Sequence, residues 1–170
     1  MKKTLSFSAW ILPLLILLYW VITSSIHSYA TIEEAIISEG KNVNSILYLE
    51  KTDSGTIVFY TIANDKQSWV GAGLVKENYF GWHWVNGGLY SSDIKQDLYS
   101  NYLPSISLLY GEIKNGKVDE IKVANGKIYD AKIIKANGTL LWFVYPLRVE
   151  GKYIDIKANS NPPIDMRYEL

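Results

Sequence analysis

The 170-residue chain has no cysteine and only two histidines. Without cysteine there are no disulfide staples, thiolate zinc sites, cysteine nucleophiles or lipid-modified N-terminal cysteine. His27 falls in an apolar N-terminal stretch, which leaves His83 as the sole imidazole beyond it. A Ser–His pair therefore has one candidate base, and no G-x-S-x-G frame to hold a nucleophile. Neither phosphate-cradling glycine motif occurs, nor does a calcium-loop pattern, so no metal or other cofactor is expected. Gly71-Ala72-Gly73 is too short to belong to such a motif and is read as close backbone packing. An excess of positive charge is also missing: 17 Lys and Arg balance 17 Asp and Glu. Beyond Ala30 fifteen basic residues face seventeen acidic ones. That balance excludes a nucleic-acid binder, which needs a basic patch or stripe.

What charge there is lies unevenly. Lys2 and Lys3 stand at the start, no acidic residue precedes Glu33, and residues 5–30 carry nothing ionisable in the physiological range except His27. Within that stretch Ala9–Ile22 is apolar except for Pro13. Its 14 residues would extend about 21 Å as a helix, short of a hydrocarbon core of about 30 Å. That length suits the apolar region of a cleaved signal peptide, and Ser28-Tyr29-Ala30 supplies small residues for a cut before Thr31. The longer run Leu5–Ile22 would reach about 27 Å, enough for an uncleaved anchor, with Tyr19 and Trp20 at the interface. Both readings make residues 1–30 an export element, a signal peptide or a transmembrane anchor. Both keep the two lysines inside and place residues 31–170 outside, either at the cell membrane or secreted.

Thr31-Ile32-Glu33-Glu34 is a capping box, after which Ile32, Ala35 and Ile36 share one helical face and Gly40 stops the helix. From there the hydrophobic period becomes two. Ser45–Lys51 and Thr56–Ala63 read as strands about a turn at Thr52–Gly55, the second apolar on both faces and hence central. Asn64-Asp65-Lys66 turns the chain into Gln67–Val75. Tyr79–Val85 is the next strand, closed by Asn86-Gly87-Gly88. Residues 89–104 are left open between a short helix capped by Ser91-Ser92-Asp93 and an ordered loop. Asn115-Gly116, Asn125-Gly126 and Asn137-Gly138 are type I′ hairpin centres. They separate Ile106–Ile113, Val118–Val123, Ile128–Lys135 and Thr139–Leu147, which predicts an antiparallel meander. Tyr153–Ala158 and Ile164–Leu170 add two strands around Pro162-Pro163. The expected fold is mostly β with a minor helical part: one domain at 31–170 whose meander forms a curved sheet, a small barrel or a sandwich.

Phe80, Trp82 and Trp84 would project to one side of the Tyr79–Val85 strand. Exposed, they form an aromatic platform for a sugar ring, and buried, they are core. Asp119 and Glu120 point to opposite faces of a strand and are read as solvated positions rather than an acid–base pair. Asn137-Gly138-Thr139 matches a glycosylation sequon, but the turn already explains its Asn-Gly.

Gly55-Thr56-Ile57-Val58-Phe59-Tyr60, Gly81-Trp82-His83-Trp84-Val85, Tyr110-Gly111-Glu112-Ile113 and Leu141-Trp142-Phe143 follow a Lys-Lys apolar leader and a Thr-x-Glu-Glu-Ala-Ile helix. In that order they resemble small uncharacterised membrane-anchored or secreted envelope proteins of Bacillus-like Gram-positive bacteria. The resemblance implies an extracytoplasmic location and no set activity. The functional expectation is a non-enzymatic binding or interaction module of the cell envelope. Its partners would be the membrane through residues 5–30, and cell-wall glycan or an envelope protein. The alternatives are a hydrolase of envelope polymers using two carboxylates about 5–9 Å apart, and an accessory subunit of a membrane complex.

Overall fold

A computed structural model of the chain describes residues 8–63, 68–91, 96–114 and 118–170. The chain begins with α1 (Ser8–Ile26) and α2 (Ile32–Ile37). The strands β1 (Val43–Thr52), β2 (Gly55–Ala63), β3 (Ser68–Asn78) and β4 (Gly81–Ser91) then form a four-stranded antiparallel sheet in chain order. After β5 (Asn101–Leu103) and a 3-10 turn come β6 (Leu108–Ile113), β7 (Glu120–Asn125), β8 (Lys127–Asp130), β9 (Lys132–Ala136) and β10 (Thr139–Val144). The last two strands are β11 (Tyr153–Asn159) and β12 (Ile164–Glu169).

These later strands make two further antiparallel sheets rather than one meander: a middle sheet β5-β6-β10-β9 and a third sheet β12-β11-β7-β8. The expected succession of hairpins is thus corrected. β6 and β10 are largely apolar and buried on both faces, Glu112 being the buried exception in β6, and they pair with each other, Gly111 opposite Trp142. Buried on both sides, they belong between layers. Leu108, Tyr110, Leu141 and Phe143 face the first sheet's Ile57, Phe59, Val70 and Leu74. Leu109, Trp142 and Val144 face Ile121, Val123, Ile154 and Ile156 of the third. β7 alternates exposed and buried positions, which suits an outer sheet with one wet face. The expected strand Ile128–Lys135 divides at Ala131, whose amide bonds to Ile121 as the chain passes from the third sheet to the middle one. No sheet closes into a barrel.

Two turn expectations also change. Asn86-Gly87-Gly88 lies inside β4, beside a register shift opposite Leu74 and Val75. A Cβ on Gly87 would collide with the Trp84 ring and one on Gly88 would lie 2.7 Å from Leu103, so these glycines serve close packing. At Asn125-Gly126 only the glycine has positive φ. The buried Asn125 amide instead donates to the Tyr153 carbonyl at 2.6 Å and its oxygen accepts from the Glu150 amide. Asn137 and Gly138 do both adopt positive φ, 49° and 82°. The expected turns at Asn64–Lys66 and Asn115-Gly116 lie outside the described residues, as does most of the open Ser91-Ser92-Asp93 alternative.

α2 forms as the capping box predicts. The Thr31 hydroxyl accepts from the Glu34 amide at 3.1 Å, while the Glu34 carboxylate reaches back to the Ala30 amide at 3.0 Å. Its Ile36 is buried on the outer face of the first sheet with Val58, Tyr60 and Val75. α1 is different: eleven large apolar or aromatic side chains between Ile11 and Ile26 are 45–71% exposed. Among the described residues, no helix is long and apolar enough to cross a membrane.

Candidate functional site

The site is built where α1 ends against the β3–β4 hairpin. The hairpin turns on Tyr79 and Phe80. There the Asn78 side-chain oxygen accepts from the Phe80 amide at 2.8 Å, and Gly81 takes φ 128°. Directly after it, Trp82 exchanges both backbone hydrogen bonds with Tyr29, at 2.7 and 2.8 Å. Gly81 permits that approach, since a Cβ there would strike the Tyr29 carbonyl. Ser28 and Asn78 add a side-chain bond, Nδ2 to Oγ at 3.0 Å. The segment that follows α1 is thereby fastened along the edge of β4.

A pocket of about 350 Å³ opens beside this seam. Ser24 lines it from α1, His27 and Ser28 from the residues just after α1, and Ser38 and Glu39 from those just after α2. Asn78, His83 and Trp84 close it from the first sheet. Both histidines of the chain are thus in one place. The His27 Nδ1 is spent on the Thr23 carbonyl at 2.9 Å, which aims the rest of the ring. The His83 Nδ1 is buried with no hydrogen-bond partner among the described residues.

The three aromatic residues singled out in the sequence are not equivalent. Phe80 precedes the strand and packs edge-to-face on Tyr79, ring centroids 5.5 Å apart, so it does not continue a stripe with the tryptophans. Trp82 and Trp84 are half-buried on the α2 side of the first sheet. Trp84 meets Tyr60 edge-to-face at 6.1 Å and lies over the backbone of Gly73 and Gly87, where a Cβ would enter its ring. The Lys41 ammonium stands 4.2 Å from the same ring centroid. With the sheet beneath it and the ammonium above, the indole reaches the pocket by its edge, not by an open face. Burial lowers the Lys41 pKa from its ordinary value, and the Glu39 charge opposes that shift. Gly71 and Gly73 carry the same packing, the first beneath Tyr60 and Leu89.

A second cluster lies between β1 and β9, next to a pocket of about 370 Å³ that includes Glu50, Asp53 and Tyr145. Lys132 Nζ donates to both Glu50 oxygens, at 3.0 and 2.7 Å, and to the Tyr48 hydroxyl oxygen at 3.0 Å. Tyr48 in turn donates to Glu50 Oε2 at 2.7 Å. Hydrogen bonds from Lys132 and then Tyr48 hold the Glu50 carboxyl below the usual carboxylate range. Asp155 is likewise held down by Arg167. A general acid needs the opposite displacement. Asp119 and Glu120 are both exposed. Among the described residues no three His, Asp or Glu side chains are placed to hold a metal ion.

Ser24, Ser38, Glu39 and Asn78 escape any sequence reading, and Ser28 is read there only as part of a cleavage site, because these residues come from separate parts of the chain and belong to the commonest polar types. The one trace in the sequence is the scarcity of histidine, and His27 is set aside there as part of the leader.

No protein-family model matches the chain, and neither a curated protein nor a solved structure matches it.

Proposed function

We propose that the chain is a non-enzymatic binding module of the cell envelope. In this reading residues 1–30 are retained as its membrane anchor and residues 31–170 stand on the extracytoplasmic side. The observation that carries the reading is the exposed apolar surface of α1. At about 25 cal/mol per Å² of apolar surface, leaving eleven such side chains in water is costly, and a bilayer removes the cost. The uncharged sequence continues toward the N-terminus from Ile22 to Leu5, 18 residues that would span about 27 Å if helical, with Lys2 and Lys3 marking the inner side. Retention is favoured over a cut before Thr31, because that cut would discard the Tyr29–Trp82 pairing and the Ala30–Glu34 bond. The envelope location also agrees with the resemblance to small Gram-positive envelope proteins. A binding role is preferred to hydrolysis because the displaced carboxylates, Glu50 and Asp155, are held in their charged forms.

Fractionation of cells combined with the intact mass of the protein tests this. A membrane-bound form that retains residues 1–30 is the expected result. A form beginning at Thr31 in the medium would overturn the anchor, and a soluble cytoplasmic form would overturn export altogether.

A further inference from the structure

We propose that the pocket between α1 and the β3–β4 hairpin binds a neutral, polyhydroxylated ligand, a saccharide of one or two rings, and that only the uncleaved chain possesses it. The inference rests on the reading of the chain as an uncleaved envelope module and names the ligand class of that module.

Size comes first. About 350 Å³ is at the lower end of small-molecule sites. Chemistry then narrows the class. The Ser28 and Ser38 hydroxyl protons, the Asn78 amide and the His27 Nδ1 already serve bonds within the chain, so a ligand meets the Ser24 hydroxyl, the His27 Nε2 and hydroxyl lone pairs, a mixture of donors and acceptors, while Glu39 only accepts. Such a mixed wall complements hydroxyl groups, which also do both. An inorganic anion fits worse, because no lining residue is a permanent cation and Glu39 is an anion. A divalent cation lacks the three ligands it needs among the described residues. His83 also lines the pocket, and its buried Nδ1 has no hydrogen-bond partner among the described residues, a cost that a ligand drawing the ring outward would relieve.

The second half of the proposal follows from where the wall comes from. Ser24, His27, Ser28 and Tyr29 all lie before Thr31, and the Tyr29–Trp82 and Ser28–Asn78 bonds fix them in position. A cut before Thr31 would remove one side of the pocket with the leader.

The test uses the full chain in lipid nanodiscs with isotope-labelled histidine, whose two imidazoles both report on the pocket. N,N′-diacetylchitobiose, cellobiose and maltose are the probes, and inorganic phosphate is the rival. At least one disaccharide should shift both imidazole signals saturably. His27→Ala, an exposed change at the helix end, should weaken that binding about tenfold, the worth of one hydrogen bond of about 1.4 kcal/mol. A parallel His83→Gln variant should weaken binding while leaving the apo His27 signal in place. Histidines that stay silent with all three disaccharides, or that respond to phosphate alone, would overturn the site. These outcomes are separable from failure of the anchor reading, since that failure appears as a cut chain in cells and this titration uses uncut protein.

Discussion

Lys132 Nζ lies 2.7 Å from Glu50 Oε2, joining the β9 edge of the middle sheet to the β1 edge of the first. The bond spans 82 residues of sequence and clips together two edges that backbone hydrogen bonds do not connect. Its worth is limited, because the Lys132 side chain is 48% exposed. Removing it by Lys132→Met should cost about 0.2–1 kcal/mol, less in high salt. The pH dependence has a definite sign. Glu50 is depressed below 4.5, so its contribution is full above that value and lost as pH falls through the folded pKa. Lys132 is raised above 10.5 by its bonds to Glu50 and Tyr48, so its contribution is full below that value and lost as pH rises further. Urea midpoints of wild type and Lys132→Met should therefore converge at acid pH. A gap that does not narrow at all as pH falls below 4.5 would contradict the ion-pair account.

Gly111 gives a larger effect. A Cβ there would collide with the Tyr99 carbonyl and stand 2.7 Å from Trp142 Nε1, the donor that serves that same carbonyl at 3.1 Å. Trp142 is fully buried between the middle and third sheets, so neither partner can retreat. Gly111→Ala should cost about 2–3 kcal/mol in denaturant unfolding followed by tryptophan fluorescence. Gly138→Ala, with open space but φ 82°, should cost about 1 kcal/mol. Gly151→Ala meets only an ordinary contact at 3.9 Å and should stay within about 0.5 kcal/mol of wild type. Equal losses at all three positions would show that space at Gly111 is not the cause.

The contrast among these glycines also shows what the sequence could convey. Strands apolar on both faces were legible, because burial on two sides removes every polar position. The opposition of Ile57 and Phe59 to Val58 and Tyr60 appears as two separate cores. So does that of Leu141 and Phe143 to Trp142 and Val144. Local chemistry was legible too, as at Thr31 and Asn137-Gly138. Which strand pairs with which was not, since alternation reports a strand's faces and not its neighbours. The run Ile128–Lys135 reads as one continuous strand in the sequence while serving two sheets. The pocket was least legible of all. Its walls come from α1, α2 and the β3–β4 hairpin, and only their docking brings Ser24, Glu39 and His83 together.

Burial of tyrosine makes an alkaline prediction. Burial raises the pKa of Tyr60, Tyr90 and Tyr110 far above the ordinary 10.0, with the charge of Glu112 adding to the shift at Tyr90. In each case the folded value exceeds the unfolded one, so their joint contribution is intact below pH 10 and lost as pH rises beyond it. Each group adds up to about 1.4 kcal/mol of lost stability per pH unit, so three together make the decline steep. Stability measured in urea should be level from pH 8 to pH 9.5 and fall sharply above pH 10. Tyrosinate absorbance should show a late fraction that appears only with unfolding. A smooth titration of all tyrosines in protein that remains folded would refute it.

The junction of the α1 end and the first sheet can be probed without disturbing the cores. Gly81 has φ 128°, and a Cβ on it would strike the Tyr29 carbonyl, so Gly81→Ala should part Tyr29 from Trp82. Those two amides hold each other at 2.7 and 2.8 Å outside any long ladder, so their protection depends on this one contact. Hydrogen exchange on the full chain should show both amides accelerated in Gly81→Ala. Amides at Ile57–Tyr60, sealed in the first sheet, should exchange as in wild type. If the whole first sheet were to lose protection, the seam would be part of the global folding unit. If nothing changed, Tyr29 would not be held by Trp82 in solution, and the pocket wall built from Ser24 to Ser28 would have no fixed position.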